Sequence, residues 1–332
     1  MEVLYSPLDF WPIMRRAYAA IRPIRVVLVE AEVWPNLAAE ARQRNVPLAL
    51  VNARLSPRSE RRFSRFLFLI APTFGCLDLV CVQEPEDVQR WVALGIPPAR
   101  IQHVGSIKYD PTETRVNPGL PVQALRAFGI DRDRPILFGG STHPGEEEIL
   151  GEIFQRLRAD FPTLALIIAP RHVERVPEIR ARLERSGLKV SLRSEEACAK
   201  QSSPDCVLLD TTGELQNWYA IATVVFVGKS LTARGGQNPV EPLLAGKPVI
   251  FGPHMENFAA LARALVARDA AVQVADSDAL QAQIHRLLGD REAVVRLVAN
   301  AQSTLASHAG ATARTAALLL SMKPRMDTNR HE

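Results

Sequence analysis

Asn238 and Glu241 stand three residues apart behind a double glycine, in the string Gly235-Gly236-Gln237-Asn238-Pro239-Val240-Glu241. Paired glycines let the backbone approach a ligand closely, and Asn-Pro-Val-Glu reads as the N-cap and first three positions of a helix. A helix start at the end of a parallel strand offers free N–H donors to an anion, with Glu241 placed for the hydroxyls of a ribose. The same spacing is also that of a capping box, in which Glu241 would satisfy only the cap backbone, and both readings stand at this point. Arg171, in Pro170-Arg171-His172, suits a charge-assisted fork on a phosphate or carboxylate. Glu30 and Glu32, at spacing two, suit acid–base work or the binding of sugar hydroxyls; the alternative is a solvated strand end with helix caps. Ser141 and Thr142 precede three acids, Glu146 to Glu148, which satisfy their own helix dipole and weaken the case for phosphate at that terminus alone.

Positioning these residues takes strands that end where they begin. Apolar runs at Val26–Glu30, Pro47–Asn52, Leu79–Val82 and Ile101–Val104 predict four parallel strands in the first half. Runs at Ile136–Gly139, Leu164–Ala169, Leu188–Leu192, Val207–Asp210, Val224–Val227, Pro248–Phe251 and Ala271–Val274 predict seven more. The candidate residues fall at carboxyl ends of such runs, where α/β proteins place their sites. Three prolines and a glycine between Asp110 and Pro121 predict a linker. The expected division is therefore an α/β domain over 1–120, a second over 121–325 and a frayed tail at 326–332. Asp9 is placed to cap a helix ending at Ile21, and a helical region is expected from Leu280 to Ser321.

At 332 residues, with 47% apolar and 23% charged residues, the composition is that of a globular protein with two cores. No run of 18 apolar residues and no signal-peptide pattern occurs, so a cytoplasmic chain is expected. A net charge of +4 suggests an anionic partner, but the 6% of aromatics are not interleaved with basic residues, which argues against nucleic acid. Arg58, Arg61, Arg62 and Arg65 share one helical face, with Phe63, Phe66, Leu67 and Ile70 on another. That pattern fits an anionic membrane surface, and equally an ordinary surface helix packed on a core. Cys76, Cys81, Cys198 and Cys206 lack metal-like spacing and read as reduced thiols. Asp131-Arg132-Asp133 and Asp276-Ser277-Asp278 read as turns and caps. No metal or cofactor is expected.

Six strings in order, EAEVWPN, NARLS, STHPGEEE, APRH, DTTGEL and GGQNPVEP, closely resemble the 3-deoxy-D-manno-octulosonic acid (Kdo) transferases of lipid A synthesis. The resemblance implies a GT-B fold of two Rossmann-like domains and inverting, metal-independent transfer of Kdo from CMP-Kdo to a lipid A precursor. The protein would sit peripherally on the inner face of the inner membrane. On the donor side the resemblance puts Ser141, Pro170, Arg171, Gly213, Glu214, Gly236, Asn238 and Glu241; on the acceptor or sugar side it puts Glu30, Glu32, Arg54 and Lys108. Members of the family carry a further upstream half, with a hydrophobic anchor and a Ser-x-Gly-Glu loop that supplies the catalytic base. The N-terminal domain is accordingly read as truncated, and the base is expected upstream of Met1. Two alternatives remain open here: a catalytically silent CMP-sugar-binding module, and a GT-B enzyme using a UDP-sugar.

Overall fold

A strand forms at every one of the eleven apolar runs in the computed structural model. The structure describes residues 3, 5–30, 33–55, 57–110, 117–131, 133–198 and 203–323, with the backbone alone at 57, 58, 197 and 198. The chain separates into two units, Met1–Thr112 with Ser307–Glu332, and Glu113–Ala306.

In the first unit, β1 (Val26–Val29), β2 (Leu48–Ala53), β3 (Leu79–Val82) and β4 (Ile101–His103) form a parallel sheet in the order β1-β2-β3-β4. Strands β2 and β3 are buried throughout, as expected for parallel strands covered on both faces. Alternate side chains therefore enter different cores. Leu48, Leu50, Val80 and Val82 join Phe74 and Trp91 on one face, while Ala49, Val51, Leu79 and Cys81 pack on the other against Leu318, Leu319 and Met322. The cover on that second face is the helix Ala311–Ser321, from the far end of the chain.

This overturns the assignment of residues up to 325 to the second domain. The Asp110 carboxylate accepts the N–H groups of Gly310 and Thr312, each at 2.7 Å, and Arg314 donates to the Val104 carbonyl at 2.7 Å. Burial would raise the Asp110 pKa, but hydrogen bonds from Thr312 and Gly310 and the Arg314 charge outweigh it, and the pKa is lowered. The expected single helical region divides into Ser277–Gly289, Arg291–Ala306 and Ala311–Ser321.

The second unit holds β5 (Ile136–Thr142), β6 (Ala165–Pro170), β7 (Val190–Leu192), β8 (Cys206–Leu208), β9 (Val224–Val227), β10 (Val249–Phe251) and β11 (Val272–Gln273). They lie parallel in the order β11-β10-β9-β5-β6-β8-β7. From β5 the chain winds outward through β6 to one edge, then returns to β9 on the other side of β5. The gap between β5 and β9 is thus a topological switch point, where loops diverge and leave a crevice.

Three local expectations change. Asp9 does not cap its own helix, Trp11–Ile21, which has no side-chain cap; its carboxylate accepts N–H groups of Asn36 and Leu37 at 3.0 and 2.8 Å, capping the helix Pro35–Gln43 instead. The arginine-rich helix ends at Arg65, and a second, Leu67–Phe74, begins after Phe66. Phe63, Leu67 and Ile70 meet the core as expected, but Phe66 is exposed. Asp276 does cap, accepting the Ala279 N–H at 2.8 Å. Cys76, Cys81 and Cys206 are buried thiols outside any disulfide. Among the described residues no helix is long and apolar enough to cross a membrane, and no group of His, Cys, Asp and Glu could hold a metal ion.

Candidate active site

The loops that leave β5, β6 and β8 enclose a cleft of about 130 Å³ lined by Ser141, Pro170, Arg171, Thr211, Gly213 and Glu214, among others. Five of the eight expected donor-side residues therefore line one space. Arg171 is anchored through its backbone, whose N–H donates to the Thr142 carbonyl at 3.0 Å. Among the described residues its exposed guanidinium has no acidic partner, so the fold does not use its charge. The Glu214 carboxylate is engaged by Arg193 and the Trp218 indole at 3.2 and 3.3 Å, so what this residue offers the cleft is backbone. Thr211 adds a buried hydroxyl with no hydrogen-bond partner among the described residues.

Gly236, Asn238 and Glu241 do not line this cleft. The helix that holds Glu241 is only Val240–Leu244, with Pro239 at its cap, one position later than the spacing suggests. Asn238 Oδ1 accepts the Val240 N–H at 3.0 Å, and its amide reaches Glu241 Oε1 at 3.3 Å. This is an Asx turn with a side-chain partner and not a capping box. Burial raises the Glu241 pKa, against the Asn238 hydrogen bond. Its charge is felt at Tyr219, whose own pKa is pushed up first by burial and then by Glu241, while the phenol shares a hydrogen bond with Ser141. The glycine pair serves the chain itself: Gly236 has φ 71°, and a Cβ there would lie 2.5 Å from Met255 Sδ.

The loops after β5 and β9 are tied together by Glu146, which sequence reasoning treated only as a dipole partner. It is fully buried. One carboxylate oxygen accepts the N–H groups of His143 and Lys229, each at 2.8 Å, and the other those of Ser230 and Leu231 at 3.0 and 3.1 Å. Next to it, buried Glu147 accepts the Thr142 hydroxyl at 2.9 Å and Arg175 at 3.0 Å. Burial raises the Glu147 pKa against the pull of Arg175.

In the first unit, Glu30 and Lys108 form an ion pair at the carboxyl ends of β1 and β4. Burial pushes the Tyr109 hydroxyl up to about 12, with Arg54 opposing and Glu84 and Glu30 reinforcing, which places Arg54 and Glu30 around one phenol. Three of the four expected acceptor-side residues are therefore brought together, and Tyr109 joins them unforeseen. Glu32 lies outside the described residues.

Residues 1–111 match the family model of the 3-deoxy-D-manno-octulosonic-acid transferases. A 3-deoxy-D-manno-octulosonic acid transferase of Haemophilus influenzae is 33% identical over 326 residues, 98% of this chain and 75% of the relative. The C-terminal CMP-Kdo binding domain of WaaA from Acinetobacter baumannii superposes with a TM-score of 0.52 at 28% identity, covering 57% of this chain and 97% of that domain. Staphylococcus aureus MnaA, solved with UDP, covers 95% of this chain and 81% of its own at a TM-score of 0.59; at 14% identity it bears on the fold alone. With both parallel sheets and a cleft at the strand ends already in place, these matches make the chain a member of the 3-deoxy-D-manno-octulosonic acid transferase family of GT-B glycosyltransferases.

Proposed function

We propose that the protein transfers Kdo from CMP-Kdo to a hydroxyl of a lipid A precursor in lipopolysaccharide synthesis, with inversion and without a metal. The observation that carries this reading is Arg171, a cation without an acidic partner among the described residues, at the end of β6 in a cleft edged by Ser141 and the Thr211–Glu214 turn. As the bond from the sugar to CMP breaks, charge gathers on the departing phosphate. A guanidinium and loop N–H groups beside that phosphate stabilise the charge more than they stabilise the ground state. The CMP-Kdo binding domain of the Acinetobacter protein supports the choice of nucleotide.

Calorimetric titration tests the donor site. CMP binds in preference to UDP, Arg171→Ala weakens it roughly 10- to 100-fold, the worth of one charged hydrogen bond, and Glu241→Ala weakens it less. Unchanged affinity in both variants defeats the assignment. Turnover of CMP-Kdo with a lipid A precursor separates an enzyme from a silent binding module, and excess EDTA leaves that turnover unchanged; loss of activity restored by a divalent ion refutes the metal-free mechanism.

The acceptor's lipid calls for a membrane surface, and the helix Pro57–Arg65 fits one. Its single acid, Glu60, is tied to Arg90 at 2.7 Å, leaving exposed Arg61, Arg62 and Arg65 with no acidic partner among the described residues. Phe66, Phe68 and Leu69 are exposed beside them. The Arg58 side chain lies outside the described residues. Anionic phospholipid vesicles co-sediment the protein at low salt, and Arg61→Glu with Arg65→Glu abolishes this; equal sedimentation of wild type and variant rules the surface out.

A further inference from the structure

Lys229 opens the loop after β9, at the switch point between β9 and β5. Its backbone is left-handed, φ 56°, a conformation costly for any residue with a side chain. Two contacts hold it there: its N–H donates to Glu146 at 2.8 Å, and its carbonyl accepts the Gly236 N–H at 2.9 Å. The side chain runs past Gly235, Cε lying 3.3 Å from where a Cβ on that glycine would be.

No acid compensates its ammonium among the described residues. Glu146 spends both oxygens on four backbone N–H groups, Glu241 is engaged by Asn238, and Glu256 by the Gly235 N–H and His254. Glu174 pairs with His172. His143 lies within electrostatic reach of it, and its pKa is lowered chiefly by burial and further by Lys229 and His172. His143 Nδ1 lies 3.3 Å from the Ser141 carbonyl, and its ring centroid lies 5.9 Å from that of His172, the residue after Arg171. Arg171 and His172, His143, and Lys229 thus stand on the loops that follow β6, β5 and β9.

The donor has matching chemistry. An octulosonic acid joined to CMP carries a carboxylate on the carbon that bears the phosphate ester, so two anionic groups sit side by side. We propose that Lys229, with His143 beside it, holds the donor sugar's carboxylate while Arg171 holds the phosphate, making Lys229 the residue that distinguishes an acidic sugar from the nucleotide alone. This rests on the donor-site reading above. A compact ammonium suits a single carboxylate, as the guanidinium fork suits the phosphate.

The test measures dissociation constants for CMP and for CMP-Kdo, without acceptor, in wild type, Lys229→Met, Lys229→Gly and Lys229→Arg. Lys229→Met and Lys229→Gly weaken CMP-Kdo roughly tenfold or more, the scale of a charged hydrogen bond, and change CMP less than twofold. Lys229→Arg retains most of the preference. Lys229→Gly accepts the left-handed backbone without strain, so its thermal midpoint reports folding separately from charge. Equal weakening of CMP and CMP-Kdo assigns Lys229 to the phosphate and overturns the proposal, as does unchanged CMP-Kdo affinity. The Arg171→Ala titration with CMP judges the donor site independently of either outcome.

Discussion

Replacing Glu146 with alanine is expected to cost about 4 kcal/mol of stability, because four backbone N–H groups lose a charged acceptor inside the protein. Glu146→Gln discriminates the mechanism. Whichever way the amide turns, one pair of N–H groups keeps an oxygen and the other pair faces an NH₂ group, so roughly half the loss follows. Donor affinity falls in the glutamine variant even where it remains folded, since His143 and Lys229, or else Ser230 and Leu231, are no longer held. Urea unfolding followed by CMP-Kdo titration of the folded fraction measures both effects. A loss below about 1 kcal/mol for alanine means that the loops do not depend on this carboxylate.

The second large effect is at Gly228. A Cβ there would lie 2.4 Å from the Ser141 carbonyl oxygen and 2.5 Å from Thr142 Cα, both backbone atoms that cannot rotate away. The Gly228 N–H also donates to the Gly140 carbonyl at 2.8 Å, so the ends of β9 and β5 are bonded there. Gly228→Ala is expected to force the strand ends apart, costing about 3 kcal/mol and displacing Ser141 from the cleft. CMP affinity and the urea midpoint fall together. A variant that keeps both shows that the switch point yields without consequence.

The strands were legible because a parallel sheet covered on both faces turns each strand into an unbroken apolar run, as in Val224–Val227. Carboxyl ends of strands then located Arg171, and the order of the motif strings located its companions. What local pattern could not show was where a polar group finds its partner. Asp9 looks like the cap of the helix that follows it, yet its oxygens reach residues 27 and 28 positions away. Glu146 resembles an ordinary first-turn acid, and its main partners lie 83 to 85 residues on. Gly235-Gly236 announces a close approach correctly, but the neighbour shown is Met255 or Asn257 of the same chain. Spacing also could not tell that the last helix belongs to the first sheet, because helical periodicity carries no record of which apolar face it covers.

The return of residues 307 onward to the first unit has a consequence for synthesis. A ribosome delivers β1 to β4 first, yet Ala49, Val51, Leu79 and Cys81 gain the cover of Leu318, Leu319 and Met322 only when the final helix emerges. The unit made second is continuous in sequence, Glu113–Ala306, and can close as soon as it is delivered. The second unit can therefore close before the unit translated ahead of it, which waits with one apolar sheet face open until the helix Ala311–Ser321 is made.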